Sequence, residues 1–203
     1  MDKQTVKLIF DTLYSDVNGY ELSRQGREKL PYQDKALTYG EVTPETFDHI
    51  LQQVQPAEGE LFYDLGCGTG KAVLLAHLYY DFAESHGIEL LSELSNTGNS
   101  ILARYDKEFK HTLSEKKQTQ NLSIEQGDFL TTDISKANIV FAHSTCFYDE
   151  FMMQLDRKLQ TLQSGARVIT VSKPLYSESF KLLDSESEHM AWGKATVFYY
   201  KRV

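Results

Sequence analysis

The sequence predicts an α/β fold: a three-layer αβα sandwich on a mostly parallel sheet, closed by an antiparallel terminal hairpin. Three observations predict it. Short apolar runs rich in β-branched residues alternate with helical segments from Glu60 onward. A glycine-rich stretch, YDLGCGTGKAVL from Tyr63, joins the first of these strands to the first of these helices. The last segment, SFKLLDSESEHMAWGKATVFYYKRV, breaks the alternation with two strand-like runs and no helix between them.

The elements follow in order. Val6, Ile9, Phe10 and Leu13 recur at helical spacing, which predicts an N-terminal helix. The polar stretch NGYELSRQGREKLPYQDK reads as a loop or irregular arm. Thr43 is an N-cap with Pro44 at the first helical position, and Phe47, Ile50, Leu51 and Val54 form one apolar stripe. ELFYDL is a strand, GKAVLLAHLYYDF a helix and HGIEL a short strand. LSELSNTGNSILARYDKEFKHTL is a long helix, SEKKQTQ a solvated loop and NLSIEQGDF a strand. ANIVFAHS and ARVITVS are strands flanking a helix whose face carries Phe151, Leu155, Leu159 and Leu162.

Composition narrows the function classes. A chain of 203 residues suits one compact domain, or a domain with a short extension. With 41% hydrophobic and 25% charged residues it reads as soluble and globular. No apolar run approaches the roughly 20 residues of a membrane span, and the N-terminus lacks a signal-peptide core. Two cysteines, Cys67 and Cys146, make no disulfide scaffold, so a reduced, cytoplasmic location is expected, or a nuclear one in a eukaryotic host. A net charge of -8 gives no general attraction for nucleic acid and favours a cationic partner. No His/Cys/Asp cluster shows metal-ligand spacing along the chain, so no metal is expected.

The glycine turn points to a ligand. In open α/β sheets ligands bind beyond the carboxyl ends of the strands, and a helix following a glycine turn offers free N–H groups there. A dinucleotide fingerprint would need glycine at position 71, where Lys71 stands. Gly66, Gly68 and Gly70 preceded by Asp64 suit instead a ligand with a cationic amino group and no pyrophosphate, such as S-adenosylmethionine. Glu89 ends the next strand, about 20 residues on, where a carboxylate can bind both ribose hydroxyls. At the third strand end Asp128 could accept from the adenine amino group and Phe129 pack on the ring. Cys67 and Leu90 flank these positions, Cys67 as a small spacer rather than a nucleophile.

These stretches carry a resemblance. The chain resembles the Rossmann-like class I S-adenosylmethionine-dependent methyltransferases, and more narrowly the Dot-one (disruptor of telomeric silencing) histone lysine methyltransferases. YGEVTPETF from Tyr39, the glycine motif, GDFL from Gly127, and IVFAHSTCFYDEFMMQL with GARVITVSKPL carry it. The likeness runs from about Leu37 to Pro174. It implies a seven-stranded sheet, with residues 1–43 as an N-terminal helix and cofactor-covering arm and residues 44–203 as the methyltransferase domain. It implies that Tyr39, Gly40, Glu41 and Thr43 lie over the cofactor, with S-adenosylhomocysteine as product. It also implies a protein-lysine acceptor on a lysine-rich or basic protein. A small-molecule N- or O-methyltransferase, or a non-catalytic cofactor-binding module, remains the alternative.

Lysine must lose its proton before it accepts a methyl group, and an apolar channel favours the neutral amine. Phe141, Phe147 and Tyr148, with Tyr39, are candidates for such a channel. His143 replaces an asparagine of the family pattern; its imidazole could contact the acceptor amine, serve as a base near neutrality, or touch the cofactor. Ser144 is a weaker candidate.

Overall fold

The computed structural model describes residues 1–203. Its sheet has seven strands in the order β3-β2-β1-β4-β5-β7-β6. They are β1 (Leu61–Leu65), β2 (Glu84–Glu89), β3 (Asn121–Gln126), β4 (Ile139–Ala142), β5 (Arg167–Val171), β6 (Phe180–Met190) and β7 (Gly193–Arg202). The first five are parallel; β7 lies antiparallel to β5, and β6 returns antiparallel along β7 at the edge. The switch point falls at β1, which pairs with β2 on one side and β4 on the other. The predicted class and the terminal hairpin are what the molecule has.

Seven α-helices cover the sheet. They are α1 (Lys3–Tyr14), α2 (Gly19–Glu28), α3 (Pro44–Gln53), α4 (Lys71–Tyr79), α5 (Ser92–Glu108), α6 (Glu115–Thr119) and α7 (Asp149–Leu159). Val6, Ile9 and Leu13 of α1, Phe47, Ile50 and Leu51 of α3, and Leu74, Leu75 and Leu78 of α4 join one core with the sheet residues Phe62 and Phe141. Leu155 and Leu159 of α7 pack with Val140 and Val168 in the second. Thr43 caps α3 as expected, its hydroxyl accepting from the Thr46 N–H at 3.2 Å.

Two segments read as loops are helices. The polar arm contains α2, capped by the Asn18 side chain, which accepts from the Glu21 N–H. Its buried face is Gly19, Ser23 and Gly26, so no large apolar stripe announces it. Arg24 pairs with both Glu21 and Glu28 on the outer face. The second is α6 in SEKKQTQ: Ser114 caps it, and its Lys117 is buried, donating to the carbonyls of His77 and Tyr80 at the end of α4.

Candidate cofactor and acceptor site

The site lies beyond the carboxyl ends of β1, β2 and β4. Gly66 and Gly68 have φ of +81° and +59°, a region where a Cβ is strained. Gly66 faces open space: a Cβ there would meet nothing closer than Phe129 at 4.0 Å. Gly68 does not, because a Cβ would lie 2.3 Å from Cε2 of Tyr39. The bare backbone at Gly68 thus admits a tyrosine ring from residues 38–43, the covering loop ahead of α3.

Tyr39 is held there from two sides. Its hydroxyl pairs with the Thr69 hydroxyl at 3.1 Å, and Tyr20 of α2 meets its ring edge-on at 5.4 Å. Burial first, and then Glu41, pushes the phenol well above its ordinary pKa, so it stays protonated. Glu41 pairs with Lys71 at 2.7 Å. Lys71 opens α4, where the helix N-terminus disfavours a cation. The Glu41 carboxylate offsets that, with the rings of Phe10 and Tyr14 at 6.0 and 5.3 Å from the ammonium.

Two adjoining cavities share Tyr39, Gly40, Gly66 and His143. The larger, about 170 Å³, is lined by Glu89, Leu90, Asp128, Phe129 and Phe147 among others. The smaller, about 30 Å³, is lined by Glu41, Asp64, Cys67, Lys71 and Phe141. Apart from Thr43 and Gly68, every residue expected to hold the cofactor lines one of them. Thr43 sits outside because its hydroxyl is committed to the α3 cap. Gly68 sits beneath Tyr39, its N–H donating to Glu89 Oε2 at 2.8 Å. Of the acceptor-side candidates, Ser144 falls outside: it is fully buried and donates to the Val171 carbonyl at 2.8 Å. Tyr148 does too; it is exposed, its ring 5.9 Å from Phe151.

The carboxylates define the electrostatics. Asp64 is buried near the end of β1, between Gly87 and Phe141. Burial, then the neighbouring Glu89, pushes its carboxyl well up, and no protein hydrogen bond counters this. Glu89, at the end of β2, is pushed up by burial but accepts from the Leu91 N–H as well as from Gly68. Each of its oxygens keeps a lone pair for another donor. Asp128 is exposed and accepts from the Leu130 N–H at 2.8 Å.

This donor set fits S-adenosylmethionine. A buried carboxylate without a hydrogen bond suits a cationic amino end, and Lys71 with the α4 N-terminus suits a carboxylate. Glu89 retains acceptors for ribose hydroxyls.

On the acceptor side, His143 follows β4. Its Nε2 accepts from the Trp192 indole N–H at 3.4 Å, with the rings edge-on. A Cβ at Gly40 would meet His143 Cε1 at 2.6 Å, so the covering loop closes on the imidazole. Burial lowers the His143 pKa to about 4. Neutral at pH 7, the ring can exchange hydrogen bonds but takes a proton from an ammonium poorly. Phe147 stacks on Phe129 with centroids at 6.3 Å and meets Phe151 edge-on at 4.7 Å. Sequence reasoning misses Phe151, which lines the larger cavity, and Trp192 and Tyr20, which line neither cavity but touch His143 and Tyr39. Trp192, the only tryptophan, next to glycine between two strand-like runs, is the one legible signal.

The family model described as histone methylation protein DOT1 matches residues 30–199. The chain belongs to that family. It is 28% identical over 142 residues, 67% of this chain, to a Caenorhabditis elegans relative named "Histone-lysine N-methyltransferase, H3 lysine-79 specific", of which it covers 15%. Across the relatives of that name this DOT1-family chain spans between 8% and 30% of their length. It is 26% identical over 63% of its own length to a "Protein-lysine N-methyltransferase" of Saccharolobus islandicus, covering 72% of that protein. In fold it is similar to magnesium protoporphyrin IX methyltransferase of Synechocystis PCC 6803, solved with its cofactor. The TM-score is 0.60 at 13% identity, covering 100% of this chain and 98% of that one.

Proposed function

We propose that this chain is an S-adenosylmethionine-dependent protein-lysine N-methyltransferase. The observation that carries the reading is the buried, unbonded Asp64 carboxylate opening on a cavity beside Gly66, within a DOT1-family chain. When bound, S-adenosylmethionine supplies a methyl group activated by its sulfonium.

The chain's own residues do the rest. Asp64 holds the cationic amino end, Glu89 accepts from the ribose, and Phe129 packs against the base beside Asp128. Tyr39 and the Glu41–Lys71 pair close the turn from above. Phe147 and Trp192 wall the acceptor side with apolar surface, which favours the neutral lysine amine by desolvation. The His143 imidazole, its Nε2 taken by the Trp192 N–H, shapes the pocket beside that amine, whose proton goes to solvent before transfer. Placement supplies the acceleration.

The names of the H3 lysine-79 relatives make histone H3 the first acceptor to test, with a nuclear site of action beside the cytoplasmic one. The experiment combines calorimetric titration of the cofactor and its demethylated product with labelled methyl transfer into free histones, nucleosomes and a small-amine library. Label on protein lysine supports the reading. Transfer only to small amines would move the activity to metabolite methylation, and no binding at millimolar cofactor would sink it altogether.

A further inference from the structure

Outside this site, the fold assembles a side-chain cluster that no spacing along the chain displays. His49 of α3 places Nε2 3.4 Å from Glu186 Oε2 and 3.3 Å from Glu188 Oε1. The three ligand atoms all lie within 4.8 Å of one another. Glu186 and Glu188 stand two residues apart on β6, on the half-buried side that faces α3. His49 is the one ion-pair partner of either carboxylate. The Tyr199 hydroxyl, from β7, donates to the other oxygen of Glu186.

We propose that His49, Glu186 and Glu188 form a binding site for a divalent transition-metal ion, zinc in the first instance. Two observations fit an ion there. Zinc held by nitrogen and carboxylate oxygen at about 2.0–2.2 Å in tetrahedral geometry separates its ligands by about 3.4 Å. Both imidazole-to-carboxylate distances match that edge, and the carboxylate-to-carboxylate separation lies within 4.8 Å. Independently, Glu186 is oriented by a hydroxyl from a buried tyrosine, the arrangement by which carboxylate ligands are positioned in metal sites. One imidazole and two carboxylates leave a fourth position for water.

The ion would fasten the edge strand β6 to α3. α3 begins where the covering loop ends, and β6 runs into the turn that carries Trp192 onto His143. Thr46 of α3 already donates to the His189 carbonyl at 2.7 Å, and the Ala191 N–H to the Glu41 carbonyl at 3.4 Å. The site therefore sits behind the Trp192 turn and the loop that ends at Thr43.

The test uses the full, untagged chain stripped with chelator, titrated with Zn²⁺ by calorimetry and with Co²⁺ by absorption spectroscopy. The expected result is one equivalent bound, with cobalt bands of a nitrogen–oxygen site and a raised melting temperature. His49→Ala and Glu188→Gln should lose binding, while the conservative Tyr199→Phe should weaken it by about 10–100-fold. His49 is half exposed, so its variant should fold, which circular dichroism checks. Metal-loaded protein should show slower amide exchange across residues 180–202 than stripped protein. No binding at millimolar metal, equal binding by His49→Ala, or sulfur-to-cobalt charge-transfer bands placing the ion on a cysteine would each overturn the proposal. None of these readouts depends on methyl transfer.

Discussion

Asp64 sets stability and ligand binding against each other. A carboxylate buried without a hydrogen bond destabilises the apo fold. Its raised pKa means that stability is present below its unfolded value near 3.8 and is lost as pH rises through the folded one. The near-isosteric Asp64→Asn should therefore raise the melting temperature at pH 7. It should also weaken cofactor binding by about tenfold or more, ~1.4 kcal/mol. Differential scanning calorimetry and titration calorimetry check the two signs separately, and a variant that both melts lower and binds unchanged would remove Asp64 from the site. His143 has the opposite linkage. Its depressed pKa favours the neutral ring, so it contributes stability above its unfolded value of 6.5 that is lost as pH falls through about 4. His143→Asn deletes that dependence. Melting curves should show wild type losing more stability than the variant between pH 7 and pH 4, while His77, lowered to about 3, affects both alike.

At the scale of elements, what was legible depended on which physics held each segment. β1, β4 and β5 are β-branched or aromatic runs buried on both faces, so their composition announces them. α3 announces itself through cap, proline and stripe. α2 does not, because its buried face sets Gly19 against Tyr39, Ser23 against the Leu37 carbonyl and Gly26 against Leu91 and Glu93, small residues that hydrophobic periodicity ignores. The Asn18 cap and the Glu21 first turn were the available signal. α6 was hidden for another reason: its anchor is Lys117, a residue ordinarily read as solvated. Burial lowers the Lys117 pKa, and Asp81 counters the loss of charge. Its ammonium satisfies two carbonyls at the end of α4. Lys117→Met keeps the aliphatic stem but strands those carbonyls. It should cost about 1–3 kcal/mol, read as a lower urea midpoint with unchanged slope. A midpoint within error of wild type would show that water replaces the ammonium there.

At the scale of the whole molecule, the site is a product of topology. Asp64, Glu89 and Asp128 were readable because a parallel sheet places successive strand ends along one rim. Trp192 reaches His143 across 49 residues of chain because the terminal hairpin folds back beside β5 and turns its tip toward the covering loop. No local pattern encodes that return, and the same holds for His49 beneath Glu186. Charge also acts at this scale. On the proposed function, a net charge of -8 would favour encounter with a basic protein over nucleic acid. Surface attraction of this kind is screened once the Debye length falls below about 10 Å, near 0.1 M salt. The KM for a lysine-rich protein should therefore rise several-fold between low salt and about 0.3 M, while the cofactor KM, set by buried groups, changes little. Added duplex DNA should neither bind in a gel-shift assay nor stimulate transfer. An acceptor KM indifferent to salt would mean that recognition rests on the aromatic walls alone, and stimulation by DNA would mean that a local basic surface overrides the net charge.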